Sequence, residues 1–297
     1  MFAETTQNNR SISVVIIGFG YVGQRLASLW TGRRAAITAL SRHNKPSETR
    51  NPRLSYLRAD LDKLESYKNL DCSQSVVYYL APPSPDHQTD RRCIDFISSL
   101  GPDNQPAKII YISATGVYGD QQGHWVTEQT AVNPHSLRSA RRRSAELAFE
   151  NYHNKTGTPL VILRVAGIYG PDRLPLTRIE RKEPVLDQGV SPWSNHIHVD
   201  DLCRICLAVG NQNMKHQIYN VCDGHPLSMT DYFFRVADIA GIERPPVISW
   251  DQARDKLSPT MLEFLRESKR VDNTRIINEL NLTLDYRDLD CGIKASL

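Results

Sequence analysis

An aliphatic run, Val14-Val15-Ile16-Ile17, leads directly into Gly18-Phe19-Gly20-Tyr21-Val22-Gly23 and then into the helical pattern Gln24-Arg25-Leu26-Ala27-Ser28-Leu29-Trp30. A G-x-G-x-x-G triplet between a strand and a helix is the phosphate-cradling turn of a dinucleotide-binding fold. Gly18 permits the tight turn, Gly20 lets backbone approach a pyrophosphate, and Gly23 lets helix and strand pack closely. The helix N-terminus then presents free N–H groups and partial positive charge to the anion. Glycine triplets also arise by chance in ordinary turns, but here a second apolar segment, Ala35 to Leu40, follows at the distance a βαβ unit requires. The expectation is a chain that binds NAD or NADP.

The residues after that second strand bear on the choice between the two. An acidic side chain there would hydrogen-bond the ribose hydroxyls of NAD, whereas Arg accommodates the 2′-phosphate of NADP. This chain has Ser41-Arg42-His43-Asn44-Lys45. A hydroxyl and two cations suit a phosphate, so NADP is expected first and NAD second.

At 297 residues and 40% hydrophobic, the chain can bury a large core as one large domain or two joined ones. A formal charge of +3 is too small to suggest nucleic acid or a membrane surface as partner. Met1 to Arg10 is polar and lacks a signal peptide's apolar core, and no apolar run approaches a membrane span. A cytoplasmic protein with a small-molecule substrate is the resulting expectation. The six cysteines are scattered, and Cys203 and Cys206 lie in a helix-like segment, so they read as buried thiols. His196 and His198 would share a face of a strand, yet no acidic or Cys partner stands at ligand spacing; no metal site is expected.

Apolar segments alternate with helical ones in the rhythm of an α/β doubly wound parallel sheet. Strands are expected near 12 to 17, 35 to 40, 54 to 58, 75 to 80, 108 to 113 and 160 to 165, and helices near 21 to 31, 87 to 100 and 136 to 154. Gly101-Pro102 should stop the second helix, and Asn133-Pro134-His135-Ser136 should open the third. After residue 165 the chain becomes punctuated by Pro and Gly, which divides it into a Rossmann domain over 11–165 and a smaller substrate-binding region over 166–297. A late strand, Gln217 to Val221, is expected to rejoin the sheet. Ligands of open α/β sheets sit outside the carboxyl ends of the strands, where the second region would supply the wall of a cleft.

Six motifs occur in order: the Gly18 turn, Tyr56 to Leu61, Tyr111 to Gly119, Arg164 to Pro171, His196 to Leu202 and Ile218 to Val221. Together they resemble the extended short-chain dehydrogenase/reductase superfamily, specifically its NAD-dependent epimerase/dehydratase group and the atypical, YeeZ-like branch of that group. The resemblance spans about residues 12 to 240. It implies cofactor contacts at Gly18, Gly20, Tyr21, Val22 and Gly23, with Ser41 and Arg42 at the ribose phosphate. It further implies Asp60 and Leu61 beside adenine, and Leu80, Ala81 and Pro82 where the cofactor's ribose passes.

The departures from that family are equally informative. Its chemistry relies on a Tyr acid/base whose pKa is lowered by a Lys four residues later, with a Ser or Thr hydroxyl orienting the substrate oxygen. Counting back from Glu146 places Arg142 at the Lys position and Arg138 at the Tyr position, while Ala114 takes the hydroxyl position. None of the twelve tyrosines has Lys four residues later. A guanidinium stays protonated at any working pH and cannot cycle a proton. Thr115, next to the lost hydroxyl, the phenols of Tyr118 and Tyr169, and His124 and His135 are the groups that could compensate, and for each the competing and commoner role is structural packing or a place in a solvated loop. Arg138 and Arg142, at i and i+4, either clamp a substrate phosphate or carboxylate or belong, with Arg141 and Arg143, to a solvated face paired to Glu146 and Glu150. The apolar positions of the same helix suit packing onto the sheet or a symmetric homodimer contact.

Two functions remain open at this point. One is an NADP-preferring epimerase/dehydratase-like oxidoreductase acting on a nucleotide-sugar or other anionic small molecule without the Ser-Tyr-Lys triad, with Thr115, Tyr118, Arg138 and Arg142 as its candidate catalytic residues. The other is a catalytically silent NADP-binding sensor or scaffold that binds a protein partner.

Overall fold

The computed structural model describes residues 12–42, 52–85 and 88–297. Seven strands form one parallel sheet: β1 (Ser13–Ile17), β2 (Ala36–Ser41), β3 (Leu54–Arg58), β4 (Val76–Tyr79), β5 (Lys108–Ala114), β6 (Leu160–Val165) and β7 (Ile218–Val221). Their spatial order is β7-β6-β5-β4-β1-β2-β3, with the sequence reversing direction beside β1, where β4 lies on its other side from β2. That reversal leaves a crevice at the carboxyl ends of β1 and β4.

Strand β1 has no polar alternation because both of its faces are covered. Val14 and Ile16 join a core with α1 (Tyr21–Thr31), α4 (Val199–Asn211) and α7 (Thr274–Leu280), whereas Val15 and Ile17 join one with α2 (Arg91–Ser98) and α3 (Leu137–Thr156). Leu26, Ala27 and Trp30 supply the buried stripe of α1, and Ala145, Phe149 and Tyr152 that of α3.

The six expected strands are present within two residues of their expected ends, and β7 pairs in parallel with β6 as expected for the late strand. The second helix is shorter than its pattern. Asp90 ends the preceding loop by accepting from the Cys93 N–H, so α2 starts at Arg91. Ser136 caps α3 in the same way, accepting from the Ser139 N–H. The division near residue 165 understates how much of the later chain returns: α4 and α7 pack on the sheet together with β7. What remains outside has its own apolar cluster, built from Tyr169, Ile179, Val185 and the Tyr232, Phe233 and Val236 face of α5 (Met229–Ala240). Cys203 and Cys206 are buried on α4. His196 stacks on Tyr232 at 4.1 Å and His198 against Tyr286 at 3.8 Å, so both imidazoles pack on rings. Among the described residues, no helix is long and apolar enough to cross a membrane.

Just beyond β7, Asp223 is 2% exposed, one carboxylate oxygen accepting from the His225 N–H at 2.8 Å and the other without a hydrogen-bond partner. Burial pushes this carboxyl up to about 7. An acid whose folded pKa is raised favours folding while protonated, and that contribution is lost as pH rises through the folded value. Asp223→Asn is therefore expected to become more stable relative to the parent, by roughly 1 to 4 kcal/mol, on going from about pH 5 to about pH 8. Paired urea titrations at the two pH values check this, and a constant difference would contradict it.

Candidate functional site

The three glycines divide their work as the motif demands. Gly18 has φ +98, and a Cβ there would stand 2.7 Å from the Ala81 amide nitrogen. Gly23 has no room either, since a Cβ would meet the Gly18 carbonyl oxygen at 2.8 Å and the Ile16 side chain at 3.2 Å. Gly20 differs, because a Cβ there would meet nothing within 4 Å. It faces the open cleft as the residue before α1, a helix start with no side-chain cap and no acidic residue in its first turn. The first N–H groups of α1 thus lack an internal acceptor and point at open space, which suits an anion.

The cleft, about 400 Å3, lies at the carboxyl ends of β1 to β5. Gly18, Gly20, Tyr21, Val22 and Gly23 form one wall, Ser41 and Arg42 the end of β2, Asp60 and Leu61 the segment after β3, and Leu80, Ala81 and Pro82 the segment after β4. All twelve positions picked out from the sequence as cofactor contacts therefore line one cavity. His43, Asn44 and Lys45 lie outside the described residues.

Two cationic lining residues were not picked out. Arg92 lies in the cleft wall with its charge satisfied, donating to both oxygens of Asp62 at 2.7 and 2.6 Å and to the Pro82 carbonyl. Arg173 arrives from the second region and stacks over Tyr21 at 4.8 Å, while Arg25 takes another position over that ring at 4.1 Å. Tyr21 donates its hydroxyl proton to the Pro171 carbonyl at 2.8 Å, which pins the Gly170-to-Arg173 loop against the cleft. Reading two residues beyond Gly170-Pro171 would have flagged Arg173; Arg92 carries no sequence signal of its own.

The arginines of α3 part company. Arg142 lines the cleft, donating to the Ile112 carbonyl at 2.8 Å and to the Tyr111 hydroxyl at 3.3 Å, and it makes no ion pair among the described residues. Burial raises the pKa of the Asp90 carboxyl, and the Arg142 charge acts on that group in the opposite direction, with the smaller effect. Arg138 does not line that cleft; its guanidinium sits 4.3 Å over the Phe264 ring of α6 (Pro259–Leu265). Arg143 pairs with Glu146 at 2.9 Å and Glu150 at 3.0 Å, the pairing expected of a solvated face except that Glu146 is buried, and Arg141 donates to the Pro85 carbonyl.

The remaining acid/base candidates lie in packed or exposed positions outside the cleft. Tyr118 is fully buried, donates to the Asn220 side-chain oxygen at 2.7 Å and lies under the Arg164 guanidinium at 4.9 Å. The 3-10 turn Thr115–Tyr118 turns this ring inward, away from the cleft, and burial raises its pKa. Tyr169 is likewise buried, with burial raising its phenol far above the ordinary value. His124 and His135 are exposed and bonded locally, to Gln121 and Asn133. Thr115 is half-buried beside the cleft's Ile112 strand end but is not part of the cavity wall.

Residues 14–222 match the model of the NAD dependent epimerase/dehydratase family. The chain belongs to that family. Over 290 residues it is 28% identical to protein YeeZ of Escherichia coli K12, covering 93% of this chain and 96% of that protein, which makes it a YeeZ-like member. A dTDP-glucose 4,6-dehydratase of Streptomyces griseus is 27% identical over 209 residues, 64% of this chain and 58% of that enzyme. A solved structure of a functionally unknown conserved protein from Silicibacter pomeroyi superposes with a TM-score of 0.78 at 27% identity, covering 96% of this chain and 98% of that one.

Proposed function

We propose that this protein is an NADP-preferring oxidoreductase of the epimerase/dehydratase type, cytoplasmic, which acts on a nucleotide-sugar or another anionic small molecule without a Ser-Tyr-Lys triad. The observation that carries this reading is the single cleft that joins the glycine turn and the uncapped start of α1 to Ser41 and Arg42. The turn and helix start would hold the pyrophosphate, and Ser41 with Arg42 the 2′-phosphate. When bound, the cofactor supplies hydride exchange at its nicotinamide. Replacing Arg42 with alanine is expected to weaken NADPH binding roughly tenfold or more and to leave NADH nearly unchanged, because a charge-assisted hydrogen bond is lost with one ligand and not with the other. Calorimetric titration of both coenzymes measures this, and an equal loss for the two would remove the NADP preference.

Arg142 takes the place of the family's Lys, and its guanidinium, which makes no ion pair among the described residues, would bind the cofactor's ribose or a substrate oxyanion. Arg138, stacked on Phe264 outside the cofactor cleft, and Thr115, behind its wall, would reach the anionic part of a substrate only if it extends beyond the cavity. The nucleotide-sugar class is favoured by the likeness to the Streptomyces dehydratase. Incubating the protein with nucleotide sugars and NADP or NADPH should give a product by mass spectrometry that Arg142→Ala abolishes.

A silent, cofactor-sensing role is favoured by one specific feature. Tyr21 is the one phenol lining the cleft among the described residues, and its proton is committed to Pro171. Tight coenzyme binding with a protein partner in pull-downs and no turnover of any nucleotide sugar would select this second reading.

A further inference from the structure

A second cleft, of about 750 Å3, shares no lining residue with the first. Its walls come from widely separated segments and include Trp125, Trp193, His225, Arg235, Arg270 and Arg287. Arg270 stands opposite Trp125 in a short parallel strand pair. Its guanidinium lies 5.5 Å from the Trp125 ring and 5.1 Å from the Trp193 ring, and Nε donates to the Gly123 carbonyl at 2.7 Å. Gly123 matters here because a Cβ would press within 3.1 Å of the Trp193 indole, so its bareness lets that ring settle.

Three features mark this concavity as built to receive something. Neither Arg270 nor Arg287 makes an ion pair among the described residues; Arg287 instead donates from Nε to the His225 imidazole at 2.9 Å. Among the described residues the terminal nitrogens of both guanidiniums have no hydrogen-bond acceptor, while Arg235 is held by Asp290 at 3.1 Å. Asp288, the acidic residue of the lining, accepts from the Asp290 N–H at 2.8 Å through one carboxylate oxygen, as the cap of the last helix. Finally, Trp125 and Trp193 are 50% and 39% exposed, although large aromatic surface is normally removed from water.

We propose that this cleft binds a nucleoside phosphate, its phosphate oxygens accepting hydrogen bonds from Arg270 and Arg287 and its base stacking on an exposed indole face. Unpaired guanidiniums present paired donors that match phosphate geometry, indoles are sequence-tolerant stacking platforms for bases, and the volume falls within the range of small-molecule sites. The proposal is independent of the cofactor reading, because the two clefts are lined by different residues.

The test titrates UDP and, separately, inorganic pyrophosphate into three proteins: the parent, Arg287→Ala and Gly20→Asp, the last carrying its change in the first cleft. Tryptophan fluorescence and calorimetry report binding. The expected result is saturable UDP binding that is equal in the parent and Gly20→Asp, at least ~10-fold weaker for pyrophosphate, and at least ~10-fold weaker for UDP in Arg287→Ala. Arg287 is exposed, so that variant should keep its fold; Arg270→Gln and Trp125→Ala should weaken UDP in the same direction. No UDP binding up to about 1 mM overturns the proposal. Pyrophosphate as tight as UDP, unchanged affinity in Arg287→Ala, or UDP binding lost in Gly20→Asp does so as well. Failure of coenzyme binding with UDP binding intact would remove the proposed function and leave this site standing.

Discussion

Replacing Glu146 with alanine is expected to destabilise the protein by about 3 to 5 kcal/mol, the usual cost of removing one partner from a buried ion pair. Glu146 has no exposed surface, and its carboxylate receives two hydrogen bonds from Arg164, at 3.0 and 2.9 Å. Ser113 donates to it at 2.6 Å and Arg143 at 2.9 Å. One side chain of α3 thereby fixes that helix against both β5 and β6. Deleting it would strand the Arg164 charge, itself 3% exposed, in an interior where, among the described residues, Arg164 makes no other ion pair. Against a typical total stability of about 5 to 15 kcal/mol, such a loss leaves much of the protein unfolded on mild heating. The midpoint and slope of urea unfolding give the value. A change below about 1 kcal/mol would mean that the pair contributes no more than an exposed one.

Gly20→Asp separates binding from folding. Asp is a good residue at the start of a helix, where its carboxylate accepts from the free N–H groups, and a Cβ here meets nothing within 4 Å. Thermal stability without coenzyme should therefore stay the same or rise slightly. Coenzyme affinity should fall on the order of 100-fold, because the carboxylate takes the donors a pyrophosphate would use and adds a like charge beside it. Differential scanning fluorimetry and calorimetry on the same preparation read both effects. Retained affinity would show that the anion does not approach over Gly20; a collapsed fold would show that the space above it is not open.

Much of this was legible in the sequence because local patterns dictated it. Fully apolar runs such as Val14 to Ile17 mark strands covered on both faces, and β1 is such a strand. The glycine spacing fixed which positions lack room for a Cβ and which one faces the cleft. Where reading failed, contacts from distant segments decided the outcome. Tyr118 sits in a motif loop that runs towards the cleft, yet its ring turns inward because Asn220 on β7 and Arg164 on β6 receive it. Adjacent members of one basic run, Arg142 and Arg143, fell to different roles because successive helical positions point about 100° apart. The second cleft has no local signature, since residues near 125, 193, 225, 270 and 287 meet only after folding.

The most direct test of the account is calorimetric titration of NADPH and NADH into the purified, unmodified protein. Saturable binding of one coenzyme per chain is predicted, with NADPH at least roughly tenfold tighter than NADH. Absence of binding by either coenzyme up to about 1 mM would contradict the assignment of the glycine-lined cleft.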